Sequence, residues 1–314
     1  MMRIIRTENL IKSFGRERVV DGISLDVYQG ELFGFLGRNG AGKSTFINLI
    51  TDIMKPDSGD VYLFEENFGI DAVKDRIGVL PDYSSFYDQL TGLKHLQFFS
   101  RLSGKPATKK RSLEVLEQVG LEEAARWKVG TYSFGMKKKL GVAQALIHDP
   151  ELLILDEPTS GLDAESVIHM QKLVQELNRE GKTIFMTSHN LPEVEKICSR
   201  IAIMKEGTIA LEGSLKELQQ QFQATFMVTI DTGTTLGEED KARISRGLAE
   251  KKRGGAWEDG LLHVETASED AIPLLVQQLV QLHVPIYGVS VEQPSLEDIF
   301  LHEPEQVSDD LYKT

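Results

Sequence analysis

The sequence predicts an α/β chain, a large parallel-sheet domain followed by a smaller α/β domain, and three observations carry that prediction. Apolar runs alternate with helical periods between residues 31 and 205 in the manner of parallel βαβ units. A glycine-rich segment, Gly37-Arg38-Asn39-Gly40-Ala41-Gly42-Lys43-Ser44, stands between a predicted strand and a predicted helix. After Phe222 the alternation restarts, which implies a new core. A length of 314 residues accommodates one large domain and one small one.

Alternating apolar residues predict strands at 4–8, 19–27 and 31–36, punctuated by Gly15 and Gly30. The glycine-rich loop then opens a helix over 43–54. Pro56-Asp57-Ser58-Gly59 reads as a turn, followed by strands at 60–63 and 77–80. Helical period dominates from 86 to about 146, with helices at 93–101, 109–119 and 135–148, so a helical subdomain is inserted into the α/β chain. Strands resume at 152–155, 183–187 and 201–205 around helices at 164–180 and 191–198. The first domain is placed at 1–222.

The second domain, 223–302, is expected as a strand at 226–230, a helix at 238–250, a strand at 261–266, a helix at 268–282, a strand at 286–293 and a helix at 295–302. Ile272, Leu275, Val276, Leu279 and Leu282 share the spacing of a helix face packed on a sheet. Residues 303–314 read as a polar tail.

Net charge is -13, and residues 225–314 carry 17 acidic against 7 basic side chains, -10 of that total. An acidic second domain repels phosphate backbones, so no nucleic-acid partner is expected. Between 86 and 148 the sign reverses: eleven basic residues, including Lys94, Arg111 and Lys137 to Lys139, face five acids. That run is either a solvated helical face or a surface turned toward a membrane-embedded partner. A single cysteine, Cys198, excludes a disulfide framework and suits a reducing compartment. The seven histidines lack the paired spacing of a zinc site. The charged N-terminus reads as no secretory signal. No run approaches the ~18 apolar residues of a membrane span, so another chain is expected to supply any spans.

Gly37-x-x-x-x-Gly42-Lys43-Ser44 is a phosphate-binding loop by spacing and by context. Gly40 and Gly42 let the backbone wrap phosphate oxygens, and the first N–H groups of the following helix point at the anion. Lys43 is expected to bridge the β- and γ-phosphates, with Ser44 on Mg²⁺. The apolar run 152–155 delivers Asp156 and Glu157 at a strand's C-terminal end, where open α/β sheets bind ligands. Asp156 is expected to hold Mg²⁺ and Glu157 to polarise the attacking water. Ser133 caps a strong helix and so marks a second anion-binding helix N-terminus. His189, ending the strand that follows Glu157's in sequence, is either a structural histidine or a group reaching the γ-phosphate.

These segments, in this order across about residues 1–215, resemble the ATP-binding subunit of an ABC transporter. The resemblance implies a RecA-like P-loop NTPase core with an antiparallel β subdomain and a helical subdomain. It implies ATP and Mg²⁺ as cofactors, with the nucleotide held by Gly37, Asn39, Gly40, Ala41, Gly42, Lys43, Ser44 and Thr45 and its adenine stacked on Phe14. Ser133 and Gly135 match the signature segment, and Ser160-Gly161-Leu162-Asp163 resembles the D-loop, with Asp163 at the nucleotide. His189 matches the switch histidine; Glu157, His189 and Lys43 are thus expected to be catalytic. The family also implies a head-to-tail dimer, either a homodimer or a heterodimer with a related ATPase, in which each signature segment faces the partner's nucleotide.

Two positions depart from the family pattern. Phe134 stands where the signature commonly has its first glycine, which points to different packing at the dimer seam. Asp82 stands where the family places a glutamine. A carboxylate binds Mg²⁺ but cannot donate a hydrogen bond to water, so Asp82 is expected to sense the metal, the alternative being an exposed loop acid. Residues 291–301 resemble the ending of type 2 exporter ATPases, with Ser295 capping a short helix whose first turn holds Glu297 and Asp298. The expected function is a cytoplasmic ATPase, peripheral on the membrane through a separate transmembrane permease, that powers export. A mechanical or regulatory ATPase acting on a membrane complex is the alternative. A soluble ABC protein acting on ribosomes or DNA fits less well, for want of fused ATPase halves or coiled-coil arms.

Overall fold

The N-terminal alternation becomes two long antiparallel strands, β1 (Arg3–Phe14) and β2 (Glu17–Tyr28), joined at Gly15 with φ +64°. This is a computed structural model that describes residues 1–67, 71–82, 85–222, 226–233, 236–249, 254–258, 260–266, 268 and 270–292. The chain divides into two units, Met1–Leu215 and Lys216–Thr314. Among the described residues, no helix is long and apolar enough to cross a membrane.

In the first unit, β3 (Leu32–Leu36) leads through the glycine-rich loop to α1 (Lys43–Ile50). Next come β4 (Ser58–Leu63), β5 (Glu66–Asn67), the single turn α2 (Asp71–Lys74) and β6 (Ile77–Leu80). The helical insertion contains α3 (Gly92–Leu102), α4 (Lys109–Gln118) and α5 (Phe134–Leu146). The chain then returns to the sheet with β7 (Leu152–Leu155), α6 (Ala164–Arg179), β8 (Thr183–Ser188), α7 (Leu191–Ile197) and β9 (Arg200–Lys205). The unit closes on β10 (Thr208–Ser214), and α8 (Leu215–Phe222) follows.

The strands form two sheets, an antiparallel one ordered β2-β1-β4-β5 and a six-stranded one ordered β10-β9-β3-β8-β7-β6. In the second, β9, β3, β8, β7 and β6 run parallel and β10 is the antiparallel edge. Parallel strands covered on both faces read as continuous apolar runs, and β3 and β7 are buried at every position. Phe33, Phe35, Phe46 and Phe185 stack at the centre, the closest ring pair being Phe35 and Phe46 at 4.8 Å. That cluster seats α1 on the sheet and fixes the loop preceding it.

Two expectations change in this unit. The helix expected over 43–54 stops at Ile50. The Thr51 hydroxyl donates to the Ile47 carbonyl at 2.7 Å, Asp52 turns left-handed at φ +60°, and the Met54 N–H closes onto the Asn48 carbonyl at 2.9 Å. These bonds satisfy carbonyls that a continuing helix would have used. Strand β10 was not expected. It pairs with β9 through a two-residue turn, Glu206 at φ +48° and Gly207 at φ +83°, the conformation that right-twisted hairpins favour.

The second unit contains β11 (Phe226–Asp231), α9 (Glu238–Ala249), β12 (Gly255–Glu258), β13 (Leu261–Thr266), α10 (Ala271–Gln281) and β14 (Gly288–Glu292). This βαββαβ order gives an antiparallel sheet, β12-β13-β11-β14. Its core joins Val228, Ile230, Leu262 and Val264 of the sheet to Ile244 and Leu248 of α9 and Leu275 and Leu279 of α10. Strand β12 was not expected, since a four-residue edge strand carries little alternation. The helix expected over 295–302, with Ser295, Glu297 and Asp298, lies outside the described residues, as does the tail 303–314.

Candidate functional site

Sheet order decides where the chemistry gathers. Neighbours β3, β8, β7 and β6 all point their C-terminal ends the same way. The segments leaving them carry, in that order, the Gly37 loop, His189, Asp156 with Glu157, and Asp82. Adjacent strands lie about 4.8 Å apart, so these groups form one row along the sheet edge.

The loop is built on backbone conformations that glycine permits. Gly42 caps α1 with φ +107°, and a Cβ there would stand 2.4 Å from the Val19 carbonyl oxygen. Gly40 has φ +85°, and Ala41 N–H closes the turn onto the Arg38 carbonyl at 3.1 Å. Asn39 is exposed on that turn, and Thr45 is half-buried in the first turn of α1. Val19 belongs to β2, so the hairpin that carries half-exposed Phe14 at its end leans on the loop.

Lys43 is buried with its ammonium inside the loop, donating to the Gly37 carbonyl at 2.8 Å and to the Arg38 carbonyl at 3.4 Å. It also lies 3.3 Å from Glu157 Oε1, an atom that is buried and, among the described residues, makes no hydrogen bond. The other oxygen, Oε2, is 2.8 Å from His189 Nδ1. A carboxylate only accepts, so Nδ1 carries the proton of that bond. Glu157 itself adopts φ +49°, a left-handed conformation uncommon outside glycine. Its N–H donates to the Thr187 hydroxyl at 2.9 Å, and that hydroxyl donates onward to Asp156 Oδ1 at 2.5 Å.

Burial pushes the Asp156 carboxyl above the ordinary aspartate range. Hydrogen bonds from Thr187 and Ser44 oppose the shift, and the nearby Asp82 and Glu157 charges add to it. Ser44 and Asp156 thus present hard oxygen donors side by side, with the Asp82 charge near enough to be felt by Asp156. Among the described residues, no three His, Cys, Asp or Glu side chains gather to hold a metal unaided. This donor set suits Mg²⁺, which takes one or two protein ligands and completes its octahedron with waters and phosphate oxygens.

Ser133, Gly135 and Asp163 form a second group at the N-termini of α5 and α6. Ser133 accepts from Met136 N–H at 3.2 Å and Asp163 from Ser166 N–H at 2.9 Å. A Cβ on Gly135 would stand 3.2 Å from Ser166 Oγ, so the two helix starts touch. Phe134 is more than half exposed, and its ring lies over Gly161, where a Cβ would meet it at 3.0 Å.

Two side chains that contact this site escaped sequence reasoning. Thr187 ties Asp156 to the Glu157 peptide; a polar residue inside the buried strand β8 was its signal. Lys138 donates to the Glu157 carbonyl at 3.0 Å, but within a run of three lysines nothing in the sequence marked it.

Comparison with known proteins gives the following matches. The family model described as ABC transporter matches residues 20–160, and the model of the DrrA1-3-like ATP-binding protein C-terminal domain matches residues 213–303. The linearmycin resistance ATP-binding protein LnrL of Bacillus subtilis strain 168 is 35% identical over 305 residues, 95% of this chain and 97% of that protein. The bacitracin transport ATP-binding protein BcrA of Bacillus licheniformis is 41% identical over 225 residues, 70% of this chain and 73% of that protein. Among solved structures, an ATP-binding cassette of an ABC transporter in its ADP conformation aligns with a TM-score of 0.64 at 26% identity, covering 69% of this chain and 93% of that one. A dimeric cassette in a post-hydrolysis state with ADP and Pi aligns with a TM-score of 0.61 at 26% identity, covering 67% and 98%.

Proposed function

The chain belongs to the ATP-binding proteins of ABC transporters, with a DrrA-like C-terminal domain, and from that premise we propose that it hydrolyses ATP between two copies to drive a separate membrane permease. The observation that carries the reading is the convergence of Lys43, Glu157 and His189 at the ends of three adjacent strands.

Each residue has a task that its geometry suits. The Gly40–Gly42 backbone and the start of α1 receive the phosphates, and Lys43 exchanges its loop carbonyls for phosphate oxygens. That exchange removes the ion pair at Glu157 Oε1 and leaves this oxygen to accept a proton from the attacking water. His189 holds the other oxygen through Nδ1 and fixes the carboxylate's orientation. Ser44 and Asp156 would hold Mg²⁺, with the Asp82 charge nearby. When bound, that ion neutralises charge on the β- and γ-phosphate oxygens.

Ser133 and Gly135 of a second copy close the site, as the second free helix N-terminus and the dimeric cassette among the structural relatives support. Named relatives act in linearmycin resistance and bacitracin transport, and we assign this chain to export of an antimicrobial-type substrate by a permease on whose cytoplasmic side it docks. Glu157→Gln tests the reading: hydrolysis falls about 10²- to 10³-fold, the cost of one lost electrostatic stabiliser, while ATP still binds. A variant turning over at the wild-type rate removes the role of Glu157.

A further inference from the structure

Lys138 is a buried cation that the roles above leave unused. It lies one turn into α5, with its side chain only 8% exposed. Burying an ammonium is costly unless acceptors replace its water. Lys138 finds three: the Glu157 carbonyl at 3.0 Å, the Asp82 carbonyl at 3.2 Å and Asp82 Oδ1 at 3.4 Å. An ammonium has three protons to donate, so this is a full set.

Both ends of the contact are informative. Glu157 holds a left-handed backbone, and such a conformation persists only where its surroundings impose it. Thr187 fixes the peptide on its N–H side, and Lys138 fixes the carbonyl on the other. At the far end the acceptor is a carboxylate. A neutral amide at position 82 could accept a bond from Lys138 but could not balance its charge, so the acid at 82 and the lysine at 138 account for each other. The same helix begins at Ser133 and Gly135, so one element carries the signature segment and, through Lys138, touches both Asp82 and the Glu157 peptide.

Resting on the ATPase reading, we infer that Lys138 is a positioning residue for hydrolysis, tying the Glu157 peptide to the Asp82 loop through an acid–base pair carried by α5. The pair transmits any displacement of α5 to the carboxylate that faces the attacking water.

The test compares the full chain with Lys138→Met, Lys138→Arg, Asp82→Asn and the double Lys138→Met/Asp82→Asn. Each is measured for single-turnover hydrolysis of ATP with Mg²⁺, for affinity toward a fluorescent ATP analogue and for melting temperature. Lys138→Met is expected to lower the hydrolysis rate about 10- to 100-fold, the scale of a small misplacement at a reacting group. Affinity stays within about threefold, because the loss falls on the chemical step rather than on binding. Lys138→Arg restores most of the rate. Asp82→Asn slows hydrolysis when Lys138 is present and has little further effect once the lysine is gone, the coupling expected of partners in contact.

A wild-type rate for Lys138→Met overturns the inference, as do losses that simply add in the double variant. A rate loss that follows melting temperature and is not rescued by Lys138→Arg also overturns it, since that describes a structural lysine. If Lys138→Met does not fold, Lys138→Gln takes its place in the single and double variants, and an unchanged rate in Asp82→Asn, whose side chain is partly exposed, still removes the pair. Glu157→Gln run alongside separates the failures. A wild-type rate in that variant removes the hydrolytic reading itself, whereas its collapse beside an unaffected Lys138→Met removes only the positioning role.

Discussion

Single residues in this protein act through where the backbone puts them. Gly42 sits at φ +107° with the Val19 carbonyl oxygen 2.4 Å from any added Cβ. Gly42→Ala is therefore expected to destabilise the chain by about 1–3 kcal/mol through backbone strain alone, and to lose ATP binding as the loop opens; urea unfolding and nucleotide titration measure the two effects. Gly135 predicts a different pattern. An aspartate there lies in the first turn of α5, where the helix dipole favours negative charge, but its Cβ must push Ser166 Oγ from 3.2 Å, so Gly135→Asp lowers the melting temperature modestly and still binds ATP in the single chain. Hydrolysis is lost because the carboxylate repels a partner's γ-phosphate, and unchanged turnover would remove the shared two-copy site. Lys43, Ser44, Asp156 and Glu157 were legible because their chemistry needs a fixed spacing or a strand end. Lys138 and Thr187 were not, since their partners lie 19 and 56 residues away for the first and 30 and 31 for the second.

At the scale of elements, the helical insertion is organised by its caps and by one histidine. Thr91, Thr108 and Ser133 each accept a hydrogen bond from the N–H three residues on. Thr108→Ala should cost about 1 kcal/mol, read as a lowered denaturation midpoint. His95, fully buried on α3, packs against Phe86 and Phe99 and bonds Gln144 Oε1 through Nε2 at 3.0 Å. Its Nδ1 is buried and, among the described residues, without a partner. A second proton would have no acceptor there, and burial lowers the His95 pKa from 6.5 against the raising effect of the Gln144 bond. The unfolded chain then binds more protons than the folded one below about pH 6.5. Stability is at its full value above that pH and falls as pH drops through the lowered folded value. His95→Gln should flatten this part of the stability curve in chemical denaturation between pH 7 and 5. Helical period made α3, α4 and α5 legible, with Ser133 marking the start of α5. Strand β10 was missed because its half-exposed positions blur the alternation that a strand needs to be read.

At the scale of the whole molecule, each unit has a core of its own among the described residues. Phe33, Phe46, Leu49 and Phe185 belong to one, and Val228, Ile244, Leu275 and Leu279 to the other. Leu275→Ala should cost about 2–5 kcal/mol, confined to one of two calorimetric transitions, with ATP affinity of the first unit unchanged. The order of segments and their chemistry were set by the sequence alone: a phosphate loop between strand and helix, a paired acid at a strand end, a helical insertion and a restarted second domain. These are local patterns, fixed by spacing, turn residues and apolar period. Only the tertiary structure decided that β8 lies between β3 and β7, so that His189 meets Glu157, and that α5 lays Lys138 against both Asp82 and Glu157. Strand order and helix docking arise from burying apolar faces that are distant in sequence, and no local pattern records which faces will meet. Thus the phosphate loop could be read residue by residue, whereas the polar contacts that orient the Glu157 carboxylate became visible only once the chain had packed.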